Sequence, residues 1–295
     1  MIERVLIVGT GLIGASVGLA LKANGSAGEV IGWDANAAEL ETALQRGAIE
    51  RALTKSEALD PDIADVFVLA TPVLPILDWM QPLAAGLHDS QFVTDVGSTK
   101  REIAEMATRL FNQPGRARFL PGHPMAGKEL GGAALAEATL FDGATWLFTP
   151  CASQFPPNVE ALKLEVEWRA IVSGFGANVR ELDPVRHDEV CAWVSHLPQC
   201  LSTALAALLE DKFAGDAEGM AALQAIGGRA LRETTRLGAS PYSMWRDIAM
   251  TNTEAIAASL AALEQRLAHV RENLRTPELR DEFRIANKFR AKRSD

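Results

Sequence analysis

The chain has 295 residues, 48% of them hydrophobic and 23% charged, a globular composition with enough length for two ordinary domains. Its formal net charge of −9 argues against nonspecific nucleic-acid binding and obliges any anionic ligand to find its cations locally. No apolar run reaches the roughly 18 residues of a membrane-spanning helix, and the first residues run straight into a strand-like segment that leaves no room for a signal peptide. The three cysteines, Cys151, Cys191 and Cys200, are odd in number and lack metal-ligand spacing. No metal is expected, and reduced, buried thiols in a cytoplasmic protein are.

Short apolar strands alternate with helical segments through the first half of the chain. Strands are predicted over Val5–Val8, Val30–Trp33, Val66–Ala70, Phe92–Asp95, Phe119–Pro121 and Trp146–Thr149. Helix-like stretches such as Ala15–Ala23, Ala37–Arg46 and Lys100–Phe111 lie between them. Alternation of this kind predicts a doubly wound parallel sheet, Rossmann-like in its connections. Pro150, Pro156 and Pro157 mark a loop over 151–157, followed by a helix over 158–175 and a short strand over 179–182. Asp183-Pro184 is a helix start, with Asp as cap and Pro at the first helical position. Beyond it Ala, Leu, Glu and Arg dominate at helical spacing, for example in 201–209 and 256–274. The expected domains are therefore a dinucleotide-binding α/β unit over 1–182 and an all-α unit over 183–295. Helices so rich in Ala and Leu need partners for their apolar faces, and a homodimer through this half is expected. The basic run Lys288, Arg290, Lys292 and Arg293 reads as a solvated helix terminus.

Gly9-Thr10-Gly11-Leu12-Ile13-Gly14 fits the G-x-G-x-x-G fingerprint between a strand and an apolar helix. Gly9 suits the tight turn, Gly11 close approach of a pyrophosphate and Gly14 close helix–strand packing. Asp34, twenty residues on, suits a ribose hydroxyl and repels a 2′-phosphate, which favours NAD over NADP. Thr71-Pro72 ends a strand at the rim where a nicotinamide lies, and reads equally well as a proline-initiated turn.

Two further segments mark that rim. In Asp95-Val96-Gly97-Ser98-Thr99-Lys100, Thr99 and Glu102 read as a capping box for the next helix, while Ser98 is left as a candidate donor to substrate. In Gly122-His123-Pro124-Met125-Ala126-Gly127, a glycine-bounded turn carries a histidine that can take a proton near neutral pH.

These segments, Gly9-x-Gly-Leu-Ile-Gly-x-Ser16, the Asp95–Lys100 run and the Gly122–Gly127 run, resemble the prephenate dehydrogenases of tyrosine biosynthesis. So do His187-Asp188, Ser195-His-Leu-Pro198, Thr235-Arg236 and Met244-Trp-Arg-Asp247. The resemblance implies NAD-dependent oxidative decarboxylation of a cyclohexadienyl acid, prephenate or arogenate. It implies that His123 accepts the ring hydroxyl's proton, that Ser98 orients that hydroxyl and that Arg236 binds a carboxylate, with His196 and Trp245 lining the same pocket. Read from the residues alone, Arg236 is equally a surface arginine and Trp245 a core residue. His196 could equally satisfy a carbonyl freed by Pro198, and His187 reads as neutral and structural. The chain departs from many relatives at Gln199, where a second histidine is common, and at Leu74, where an arginine is common. After Arg236 the sequence reads as helix, so neither the regulatory domain that some relatives append nor an N-terminal mutase domain is expected.

Two other readings stand beside this one. A β-hydroxyacid dehydrogenase or imine reductase also pairs such domains, but hydroxyacid enzymes of that type rely on a lysine in the helical half. Here only Lys212, in an acidic-polar stretch, lies between Lys163 and Lys288. A noncatalytic NAD-sensing dimer would keep the glycines and lose the rim residues, whereas Ser98, His123 and Arg236 are all present.

Overall fold

The computed structural model describes residues 2–128, 130–151 and 155–292. Part of the predicted 151–157 loop, and Arg293 of the basic run, lie outside the described residues.

The first half alternates strand and helix as predicted: β1 (Ile2–Val8), α1 (Leu12–Ala23), β2 (Ala27–Trp33), α2 (Ala37–Gln45), β3 (Arg51–Ala52), β4 (Val66–Leu69), α3 (Val73–Gly86), β5 (Phe92–Asp95), α4 (Arg101–Leu110) and β6 (Arg118–Leu120). The strands form one parallel sheet in the order β3-β2-β1-β4-β5-β6. Chain order reverses between β1 and β4, which opens a crevice beyond their carboxyl ends. Both faces of the sheet are covered, so Val5–Val8 of β1 and the whole of β4 are continuous apolar runs rather than alternating ones. Val5, Ile7, Val66 and Val68 pack toward α1, while Leu6, Phe67 and Leu69 pack toward Ile76, Met80 and Ile103 of α3 and α4. The helix α3 is an element the sequence reading does not draw. Pro72 precedes it and Pro82 lies within it, and prolines read as breaks.

The next strands correct an expectation. β7 (Gly122–Pro124), β8 (Thr145–Phe148) and β9 (Asn178–Glu181) form a separate three-stranded sheet, β7-β8-β9, instead of extending the first. β7 runs antiparallel to β8, and β8 parallel to β9. His123 therefore sits on a strand, not on a turn. A three-residue strand with glycine at one end and proline at the other carries turn composition. Pro124 is tolerated because β7 is an edge strand. Trp146 and Phe148 of β8 pack with Phe141, Phe175 and Trp168, the last from α5 (Val159–Gly174), and anchor this sheet.

From Pro184 onward the described residues are helical: α6 (Pro184–Cys191), a π-helical turn (Ala192–His196), α7 (Leu197–Phe213), α8 (Ala217–Ile226), α9 (Arg229–Thr235), a 3-10 turn (Arg236–Ala239), α10 (Tyr242–Thr251), α11 (Thr253–Glu272) and α12 (Glu278–Arg290). Asp183 caps α6 as predicted, accepting from the Val185 and Arg186 amides at 2.9 and 3.0 Å. The π turn lies where Pro198 withholds its N–H, and the wider turn absorbs the missing donor. His196 does not satisfy a freed carbonyl; its Nδ1 accepts from Asn252 Nδ2 at 3.2 Å.

The helices close over the sheet's rim through polar ties. The Leu74 amide donates to Asp247 at 3.1 Å, and the Thr99 and Thr251 hydroxyls meet at 2.7 Å. Within one chain α8, α9 and α12 bury no residue. Leu208, Ile226, Phe283 and Phe289 stand exposed, the unpartnered apolar surface expected of this half. No described helix is long and apolar enough to cross a membrane.

Candidate active site

The glycine loop is built as the fingerprint requires. Gly9 has φ +96°, and a Cβ there would lie 2.7 Å from the Ala70 carbonyl. At Gly14 a Cβ would lie 1.9 Å from the Gly9 oxygen, so α1 cannot approach β1 with any larger residue. At Gly11, by contrast, a Cβ would meet nothing within 4 Å. The space above it is open to a ligand, and no side chain caps the α1 N-terminus. An uncapped helix N-terminus beneath open space fits a pyrophosphate. Asp34 is drawn into this loop: its carboxylate accepts from the Thr10 amide at 2.6 Å and the Asn36 amide at 2.8 Å.

A cleft of about 550 Å³ opens beside the loop, between the parallel sheet and the helices. Gly11, Leu12, Ile13, Thr71 and Pro72 line one side and Ser98 and His123 its floor, while Ser195, Met244 and Trp245 face them. Ser98 is half-buried and makes no hydrogen bond among the described residues. Lys128 is the one charged residue among the described lining, and it is tied to Glu137 at 2.6 Å.

His123 is held by a buried network. Asp95, at the end of β5, accepts from the Gly97 and Gly122 amides at 2.7 and 3.1 Å and pairs with the Lys100 ammonium, which also donates to the Gly122 carbonyl at 2.7 Å. The loop after β5 and the strand carrying His123 are thereby locked together. His123 Nδ1 lies 2.9 Å from His187 Nε2, and His187 Nδ1 lies 2.8 Å from Asp188 Oδ1. Asp188 also accepts from the Lys100 and Arg101 amides at 2.7 and 2.9 Å. Burial, then the charges of its neighbours, pushes His123 well below the ordinary histidine value, and burial likewise lowers His187. Both rings are neutral at pH 7.

Two expectations change here. Thr99 does not cap α4, since its hydroxyl is spent on Thr251 and Asp188 supplies the cap from across the domain junction. His187 is neutral as expected but touches His123. Cys191 completes a cluster with these two histidines whose ligand atoms lie within 4.8 Å of one another. Two nitrogens on one tetrahedral zinc would stand about 3.3 Å apart, whereas 2.9 Å is a hydrogen-bond length. Burial pushes the Cys191 thiol up to about 12, which keeps it protonated.

Trp245 lines the cleft, and its indole N–H has no acceptor among the described residues. His196 stands behind it rather than in the lining, with the two rings edge to face at 5.8 Å. Burial lowers His196 to about 4. Arg236 is exposed at the start of the 3-10 turn and is not brought into the cleft lining of a single chain. Gln199 holds that turn, donating to the Leu237 carbonyl at 2.6 Å and accepting from the Ser240 hydroxyl at 3.2 Å. Sequence reasoning missed Lys100, Asp188 and the His187 contact, because each acts through a partner distant in sequence.

The fold and the cleft define a dinucleotide-binding protein with an acid/base histidine at the rim of its sheet and a helical unit closing over it. A family model described as "Prephenate dehydrogenase, nucleotide-binding domain" matches residues 17–171, and "Prephenate dehydrogenase, dimerization domain" matches residues 183–288. The chain belongs to the prephenate dehydrogenase family. It is 32% identical over 257 residues to the prephenate dehydrogenase of Bacillus subtilis, covering 87% of this chain but 66% of that one. The prephenate dehydrogenase of Aquifex aeolicus, solved with hydroxyphenyl propionate and NAD+, is 28% identical with a TM-score of 0.85 over 99% of this chain and 98% of that one. The arogenate dehydrogenase of Synechocystis is 29% identical with a TM-score of 0.75 over 98% and 99%.

Proposed function

We propose that this chain catalyses the NAD-dependent oxidative decarboxylation of a cyclohexadienyl acid, turning prephenate into 4-hydroxyphenylpyruvate or arogenate into tyrosine. The observation that carries this reading is the neutral, buried His123 on the floor of a cleft that the glycine loop also lines. When NAD+ binds, Gly9, Gly11, Leu12, Ile13 and Gly14 would hold its pyrophosphate, Asp34 would take its ribose hydroxyls, and Thr71 and Pro72 would lie on the nicotinamide side. NAD+ supplies the hydride acceptor when bound.

His123 receives the hydroxyl proton as the ring carbon bearing that hydroxyl becomes a carbonyl. Nδ1 faces His187, so the proton goes to Nε2. Ser98 donates to the same hydroxyl oxygen and aims its proton at His123. Loss of the ring carboxyl as CO2 then makes the ring aromatic, which drives the reaction. Among the described residues the cleft lining offers only the already paired Lys128 as a cation, and the chain's net charge is negative. An anionic substrate therefore needs another positive group, and Arg236 supplies it with a guanidinium that pairs with a carboxylate in two places. Trp245 closes the pocket with an indole N–H still open to an acceptor, and His196 braces that ring. The enzyme works in the cytoplasm as a homodimer whose helical halves cover one another's apolar faces.

Supplying purified protein with NAD+ and either prephenate or arogenate tests this directly. NADH and CO2 formed in equal amounts from at least one of them is the expected result. No turnover of either, by protein that binds NAD+, would overturn the reading.

A further inference from the structure

His123 can act as a base toward the cleft only if the nitrogen facing the cleft carries no proton, and the hydrogen-bond chain behind it fixes which nitrogen that is. Asp188 sits at the far end. Its Oδ1 accepts from the Lys100 amide at 2.7 Å and its Oδ2 from the Arg101 amide at 2.9 Å, so it meets His187 as an acceptor. His187 Nδ1, 2.8 Å away, must therefore carry the proton. A neutral imidazole carries only one, so His187 Nε2 is bare and can only accept. The group facing it at 2.9 Å is His123 Nδ1, which must then be the donor. His123 is also neutral, and its single proton is committed to that bond.

We propose that His187 and Asp188 are positioning residues for the reaction, holding His123 in the Nδ1–H form so that Nε2 presents its lone pair to the cleft. The inference rests on the dehydrogenase reading and deepens it. Proton uptake then requires no rearrangement: when Nε2 takes the substrate proton, Nδ1–H keeps donating to His187 and the new charge is shared along the chain toward Asp188. When CO2 departs, its bonding electron pair passes through the ring to the carbonyl oxygen, and Nε2 returns the proton to that phenolate, so the product leaves as the phenol and His123 is reset. His187 does not itself line the cleft; it touches His123, which does, and its effect on the reaction passes through that ring. The same Asp188 caps α4, next to the Lys100–Asp95 pair that ties down the His123 strand. One carboxylate thus sets both the direction and the protonation of the base.

His187→Leu removes the acceptor for His123 Nδ1–H, whereas His187→Gln keeps an amide oxygen for it and an amide N–H for Asp188. Leu is expected to lower kcat on the order of 10- to 100-fold, the usual scale for residues supporting a reactive group, with KM and NAD+ affinity within about twofold of wild type. Gln is expected to recover most of that loss, a rescue that a merely structural role would not produce. An imidazole nitrogen-15 NMR spectrum of the wild-type protein reads the tautomer without any variant, and His123 protonated at Nδ1 is the expected result. His123 protonated at Nε2, or a folded Leu variant with unchanged kcat, would overturn the proposal. Should wild-type protein turn over neither prephenate nor arogenate, the dehydrogenase reading falls, while the NMR spectrum still decides the tautomer.

Discussion

Burial makes His123 a base that stays uncharged well into acid. A histidine whose folded value lies well below 6.5 remains unprotonated until the pH falls through that lowered value. The expected pH profile of kcat/KM is therefore flat from neutral pH to below 6.5, and an acid limb centred at or above 6.5 would show that another group limits the rate. Arg236 acts on binding rather than on chemistry. Arg236→Ala is expected to raise KM on the order of 10- to 100-fold, the cost of one charged hydrogen-bonding partner, with kcat little changed; steady-state kinetics separates the two. At this scale the sequence was legible where a residue type has few other uses. A histidine between glycines at the rim of a predicted parallel sheet points to proton transfer, and His123 does line the cleft. Lys100, His187 and Asp188 were not legible as a unit. The His123–His187 contact spans 64 positions and the Asp188–Lys100 bond spans 88, and only the folded topology brings them together. Thr99 shows the opposite error. Its spacing to Glu102 fits a local cap, yet tertiary partners supplied a better one.

The loop between β1 and α1 separates the needs of folding from those of binding. Gly14→Ala is expected to destabilise the fold or displace α1, because the new methyl would collide with the Gly9 carbonyl. Gly11→Ala is expected to leave thermal stability within about 1 kcal/mol of wild type, the cost of a surface exchange, and to weaken NAD+ binding measurably by calorimetry. Equal losses of stability in the two variants would remove the argument that the space above Gly11 belongs to a ligand. Elements were legible where a pattern was long or regular. The parallel strands announce themselves as apolar runs between helices, and Asp183-Pro184 announces α6. β7 was not, being three residues with Gly and Pro in turn-like composition, and its pairing with β8 is a long-range fact. Gln199 shows how a departure from the family pattern can be absorbed: it spends its amide on the turn that begins with Arg236 instead of lining the cleft.

Across the whole molecule, buried neutral histidines make stability depend on pH with a definite sign. His196 titrates at about 4 folded and at its ordinary 6.5 unfolded. The unfolded chain therefore binds more protons between these values, so stability is complete above 6.5 and falls as the pH drops. At pH 5 the loss is about 2 kcal/mol from this residue alone, by linkage, and His123 and His187 add to it in the same direction. Thermal unfolding between pH 7 and 5 checks this; an unchanged Tm would contradict it. The exposed apolar residues of α7, α8 and α12 carry the expectation of a dimer, and light scattering should return twice the mass of the chain. The central claim is that His123 takes the proton released during hydride transfer. Rapid-mixing measurement of NADH formation by His123→Asn beside wild type, with NAD+ and substrate both saturating, tests it most directly. The variant is expected to bind both ligands and to form NADH at a rate lower by about 10²- to 10⁴-fold, the usual contribution of a general base. NADH formation at the wild-type rate would contradict the account.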